Sequence, residues 1–121
     1  MKTVSNTYGW RITTYFNDVT GIIHRTDGPA KEIIDVMTQE IISLSWFDNG
    51  LRHRIDGPAE ILHNGREIWY TYGKLHRNDG PAVVNKLMPI PKDESYWING
   101  VNYTENDWLC KKMNSMDIVT V

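Results

Sequence analysis

The chain has 121 residues, of which 40% are apolar and 23% charged, and its formal net charge is −2. That length suits a single domain, 1–121, able to bury a core, and the near-neutral charge argues against generic binding to a phosphate backbone. One cysteine, Cys110, excludes an internal disulfide and with it a disulfide-stapled secreted scaffold. The first residues, MKTVSNTYGWR, lack an apolar stretch, and no apolar run approaches 18 residues, so neither a signal peptide nor a membrane span is expected.

From about residue 10 to residue 103 the chain repeats itself. HRTDGPA stands at 24–30, HRIDGPA at 53–59 and HRNDGPA at 76–82, and only the third position differs. Self-similarity of this kind marks a fold assembled from copies of one small unit. Three residues before each histidine lies a glycine, Gly21, Gly50 and Gly73. Four residues before the last two glycines lies a tryptophan, Trp46 and Trp69. In the first unit the same count falls on Asn17, with Tyr15 and Phe16 close by. The unit therefore reads as an aromatic strand, a turn at Gly, His-Arg, a turn at Asp-Gly-Pro, and a second strand.

The histidines are separated by 29 and then 23 residues. A 23-residue unit holds two strands of ordinary length and two turns. The longer first interval predicts an extended hairpin around 35–40. Its flanks, 33–37 and 41–46, are rich in β-branched residues and are assigned to strands over the competing helix. Asp48-Asn49-Gly50 predicts a turn. Residues 59–62 and 67–72 predict strands joined at Asn64-Gly65, a strong hairpin signal. Within the heptapeptide, Asp-Gly is expected to form a tight turn that uses the conformational freedom of Gly, and Pro fixes it. Arg and Asp two residues apart are expected to pair as a charged fork.

Residues 85–95, with two prolines and several charges, read as a loop. A degenerate fourth unit follows, in which Tyr96 takes the aromatic slot and Tyr103 the histidine slot. A helical cap is predicted over 104–114. Thr104 is the expected N-cap, Glu105 and Asp107 favour the first turn, and Trp108, Leu109 and Met113 form the inner face. Such a cap would close the open end of a repeat sheet. Residues 117–121 are the last candidate strand. The fold class is thus mainly β, an antiparallel meander of repeated hairpins with a short C-terminal α-helix.

These residues resemble a repeat family common in proteins of tailed bacteriophages and some other viruses, with units of the form W-Y-x-N-G-K-x-H-R-x-D-G-P-A. The clearest copy is Trp69-Tyr70-Thr71-Tyr72-Gly73-Lys74-Leu75-His76-Arg77-Asn78-Asp79-Gly80-Pro81-Ala82. The stretch Asn99-Gly100-Val101-Asn102-Tyr103-Thr104-Glu105-Asn106-Asp107-Trp108 is similar to the family's usual ending. More distantly the unit is similar to the MORN repeat. The likeness spans about residues 15–108. It implies a phage-encoded accessory protein in the cytoplasm of a bacterial host, of the kind that binds and blocks host machinery.

Two readings of the chemistry compete. The sets His24-Arg25-Asp27, His53-Arg54-Asp56 and His76-Arg77-Asp79 either brace their own turns or present a row of donors to a partner. Identical residues in every unit favour identical structural duty, because catalysis needs different groups converging on one place. Trp46, Trp69 and Trp97, at similar unit positions, either pack the core or form an aromatic contact row. The motif histidines and His63 lack the close paired spacing of zinc ligands. Cys110 is read as a buried, inert thiol beside Lys111 and Lys112. No cofactor motif is present. The expected function is non-enzymatic: binding and inhibition of a host protein, such as a defence factor, with a homodimer through sheet edges as a further expectation. The alternatives are sequestration of a nucleotide by Arg and Trp and, least favoured, phosphodiester cleavage by clustered histidines.

Overall fold

The computed structural model describes residues 1–87 and 93–117. The chain is mainly β and antiparallel, and one helix follows the strands. Seven strands form the main sheet: β1 (Lys2–Thr7), β2 (Trp10–Tyr15), β3 (Lys31–Asp35), β4 (Ile41–Ser45), β7 (Glu60–Leu62), β8 (Arg66–Ile68) and β11 (Val83–Asn85), neighbours in that order. Three two-stranded ribbons branch from it. They are β5 (Phe47–Asp48) with β6 (Leu51–Arg52), β9 (Tyr70–Thr71) with β10 (Lys74–Leu75), and β12 (Tyr96–Ile98) with β13 (Val101–Tyr103).

The aromatic residue of each unit sits where the ladder passes from sheet to ribbon. Trp46 donates its N–H to the Ala59 carbonyl on the sheet side, and its own carbonyl accepts from His53 N–H on the ribbon side. Tyr15 does the same with Ala30 and His24, and Trp69 with Ala82 and His76. Tyr15, rather than Asn17, therefore holds the aromatic slot of the first unit. The reason is a longer turn: Asn17 Oδ1 accepts from Val19 and Thr20 N–H, and Gly21 donates back to the Asn17 carbonyl. Trp97 in the fourth unit is one residue out of register. Its carbonyl accepts from Arg77 N–H, as those of Phe47 and Tyr70 accept from Arg25 and Arg54, so Tyr96 is the counterpart of Trp46 and Trp69.

Each ribbon turns on two residues of positive φ: Asn49-Gly50, Tyr72-Gly73 and Asn99-Gly100. This is the mirror-image turn whose twist suits a hairpin. Tyr8-Gly9 makes the same turn between β1 and β2. The sequence assigns no element to 2–7, yet β1 pairs with β2 over its full length and is exposed throughout. The hairpins expected around 35–40 and 64–65 form, but β3 ends at Asp35, so Val36 and Met37, expected in its strand, belong to the turn, and the register shifts between Ile33 and Ile34. Asn85 ends β11 and Ser95 bridges Val83, while residues 88–92 of the expected loop lie outside the described residues.

The core is thin. Ala30, Ala59 and Ala82, the last residues of the three heptapeptides, are completely buried, whereas no large side chain among the described residues is. A methyl group is all that fits where strand, corner and ribbon meet. The helix α1 (Glu105–Asp117) is longer than its expected span. Thr104 Oγ1 accepts from Asp107 N–H, which confirms the N-cap. Of the expected inner face only Trp108 is buried; Leu109 and Met113 are exposed, because the helix rests on the sheet end along a single line of side chains. Asp117, expected in a strand, ends the helix, and 118–121 lie outside the described residues. Cys110 is exposed, not buried.

Candidate functional site

The heptapeptide builds one clamp three times. Arg25 stacks its guanidinium carbon 4.0 Å from the centre of the Tyr15 ring, Arg54 4.0 Å from that of Trp46, and Arg77 3.7 Å from that of Trp69. Arg25 Nε and Arg77 Nε each donate to the Asp two residues on at 2.8 Å, to Asp27 and Asp79. Arg54 Nε lies 3.4 Å from Asp56 Oδ1. Nη1 of each Arg donates to the carbonyl of Pro29, Pro58 or Pro81 at 3.0–3.2 Å. The expected two-pronged Arg–Asp fork is thus divided between a carboxylate and a backbone carbonyl. A planar cation with several donors can do this while its face lies on a ring.

The motif glycine does not use the conformational freedom expected of it. Gly28, Gly57 and Gly80 are absent from the positive-φ set. Their role is to leave room: a Cβ on Gly57 would stand 2.8 Å from Arg54 Cζ, on Gly80 3.0 Å from Arg77 Cζ, and on Gly28 3.1 Å from Arg25 Cζ. The Arg lies across the backbone of its own turn, an approach that a side chain there would obstruct.

The histidines serve the neighbouring unit. His24 Nδ1 accepts from Asn49 N–H at 3.0 Å, His53 Nδ1 from Tyr72 N–H at 3.1 Å, and His76 Nδ1 from Asn99 N–H at 3.0 Å. Each acceptor meets the first positive-φ residue of the next ribbon turn. A neutral ring accepting at Nδ1 carries its proton on Nε2. His53 also stacks on Tyr72, ring centres 3.8 Å apart. The heptapeptide therefore fastens unit to unit as well as bracing its own corner.

What remains exposed is different. The carboxylates of Asp27, Asp56 and Asp79 are about four-fifths exposed or more, at 81%, 87% and 80%. The one variable position, Thr26, Ile55 or Asn78, is exposed in each unit. Between the ridges run two open grooves. The first, of about 860 Å³, lies between Arg25–Gly28 and His53–Asp56, with Trp46 in its floor. The second, of about 480 Å³, lies between the second ridge and His76–Asp79, with Trp69 in its floor. The twelve candidate residues thus fall into groups: all nine ridge residues, with Trp46 and Trp69, line a groove, whereas Trp97 lies beyond both. Asp79 closes the set as the outer wall of the second groove. No group of three or more His, Cys, Asp or Glu side chains gathers among the described residues in a way that could hold a metal ion. Among the described residues no helix is long and apolar enough to cross a membrane.

The hydrogen bond from Arg25, and then its charge, holds the Asp27 carboxyl below the ordinary value of 3.8. The hydrogen bond from Arg77 does the same for Asp79, against a smaller opposing effect of burial. A carboxyl lowered in the folded state stabilises the fold above 3.8 and loses that contribution as pH falls through its folded value. Acidification below pH 3.8 is therefore expected to weaken the chain progressively. Asp79→Asn is expected to show a smaller loss in urea midpoint between pH 7 and pH 3 than the parent chain. Equal losses would remove Asp79 from the acid response.

No family model, no curated protein and no solved structure matches this chain.

Proposed function

We propose that the chain is a non-catalytic binding protein whose contact surface is the row of ridges and grooves along the repeats. One observation carries this reading. The invariant residues of the motif are spent on holding the scaffold, while the variable residue of every unit, Thr26, Ile55 or Asn78, stands exposed on one row. Constant braces with a variable exposed position suit an extended recognition surface. The resemblance to phage repeat proteins makes the partner a bacterial host protein, such as a defence factor, met in the host cytoplasm and inhibited by occlusion. The exposed edge of β1 offers a separate place for strand pairing with a second copy of the chain.

The nucleotide alternative is weaker on electrostatic grounds. The first groove has room for such a ligand. However, each guanidinium in it is already stacked and hydrogen-bonded, and the rims carry carboxylates that repel phosphate.

The test uses the whole chain immobilised against bacterial lysate, followed by assay of the retained protein with and without the chain. A retained protein that loses activity on binding, and that Thr26→Lys/Ile55→Lys fails to retain, is the expected result. Retention of nothing, or equal retention by the variant, overturns the reading.

A further inference from the structure

The third ridge is already occupied, and by this chain's own helix. Trp108 packs against Tyr96 with ring centres 4.9 Å apart and donates from Nε1 to the Arg77 carbonyl at 3.4 Å. One turn later, Lys112 places its ammonium on the Asn78 carbonyl, 5.1 Å from the centre of the Trp108 ring. The residue after Asn78 is Asp79, whose carboxyl is lowered chiefly by Arg77 and only slightly by the Lys112 charge. The ridge thus presents a lysine with a carbonyl and a nearby carboxylate.

The same elements recur on the other two ridges, where each carboxylate meets its own Arg and no lysine. Thr26 and Ile55 correspond to Asn78 in the motif, and Asp27 and Asp56 correspond to Asp79. The Thr26 and Ile55 carbonyls accept no hydrogen bond from the described residues, and no lysine approaches Asp27 or Asp56. Both ridges border the open grooves. Successive units add two strands to the main sheet, so equivalent points repeat about 10 Å apart.

We propose that Thr26–Asp27 and Ile55–Asp56 are cation cradles, which receive two basic side chains about 10 Å apart from a segment of the protein partner, as Asn78–Asp79 receives Lys112. A helix supplies that separation between residues seven apart. This inference rests on the binding reading above and specifies the partner's chemistry. The exposed carboxylates give the charge complementarity, and Ile55, 90% exposed between the two grooves, offers apolar surface to the lysine stems. The Arg residues do not compete for these carbonyls, since their bonds go to Asp and Pro.

The probe is a helix-stapled peptide with lysines at i and i+7, titrated into the full chain and followed by amide chemical shifts. Saturable shifts centred on Thr26, Asp27, Ile55 and Asp56 are expected. Binding should weaken at least tenfold in Thr26→Lys/Ile55→Lys, whose own ammonium groups compete for the cradles, and at least tenfold when both peptide lysines become glutamate. Val19→Lys, on a fully exposed turn outside the grooves, should bind as the parent does. Thermal unfolding of both variants within a few degrees of the parent establishes that they are folded. Equal binding of the glutamate peptide, shifts centred elsewhere, or no saturable shift at millimolar peptide overturns the cradles. A lysate partner that is retained but not displaced by the lysine peptide also overturns them while leaving the binding reading intact. Retention of no partner strikes that reading instead.

Discussion

Replacing His24, His53 and His76 together with leucine is expected to destabilise the chain by about 3 kcal/mol, roughly 1 kcal/mol for each backbone donor left without its acceptor. The three N–H groups lie near the surface, so water recovers part of each loss and the lower end of the range applies. The turns they serve are already costly at Asn49, Tyr72 and Asn99, which hold positive φ without being glycine. His53→Leu should cost the most of the three, since the imidazole also stacks on Tyr72. The units are separate enough for their effects to add. Asparagine provides a control, because its Oδ1 stands near the place of histidine Nδ1. The triple His→Asn chain should recover more than half of the loss. Urea unfolding of the two triple variants checks this. If leucine changes the midpoint no more than asparagine does, the histidines are not turn acceptors.

The repeat was legible in sequence because the heptapeptide is continuous and recurs nearly unchanged. Hairpin order, the Asn49-Gly50 turn and the Thr104 cap followed from local chemistry alone. The destination of each histidine was not, because Nδ1 reaches a residue 19–25 positions further along the chain. Aligning the units supplies the missing signal: the residue before Gly50, Gly73 and Gly100 meets the histidine of the preceding heptapeptide. Strand β1 carries no motif, and its alternation is mostly polar, so nothing in it announced a sheet edge. The buried face of α1 is narrower than its apolar spacing implies for a related reason. Apolar spacing predicts a broad buried stripe, but a thin sheet end offers room for one indole and the stem of Lys112. Residue type groups Trp97 with Trp46 and Trp69, whereas the repeat count that gives Tyr96 the aromatic slot agrees with the hydrogen-bond register.

The clamp itself predicts a coupling that simple contact loss does not. Arg54→Ala removes a ring contact, an ion pair with Asp56 and a bond to the Pro58 carbonyl. From the usual worth of such contacts the loss is about 3 kcal/mol. Arg54→Lys keeps the charge but loses the planar stack and the second donor direction, so about 2 kcal/mol of that loss should remain. Gly57→Ala leaves every clamp group in place, yet its Cβ would stand 2.8 Å from Arg54 Cζ and must push the guanidinium off Trp46. A cost of about 2 kcal/mol is expected for such overpacking. If the glycine is needed only to admit the arginine, the two costs are one cost counted twice. Gly57→Ala placed in the Arg54→Ala background should then change stability by less than about 0.5 kcal/mol, the limit within which independent sites simply add. Equilibrium urea unfolding of the two single variants and the double variant measures this. A double variant as unstable as the sum of the singles would mean that Gly57 has a backbone role of its own, and that the clamp is not what selects glycine in the motif.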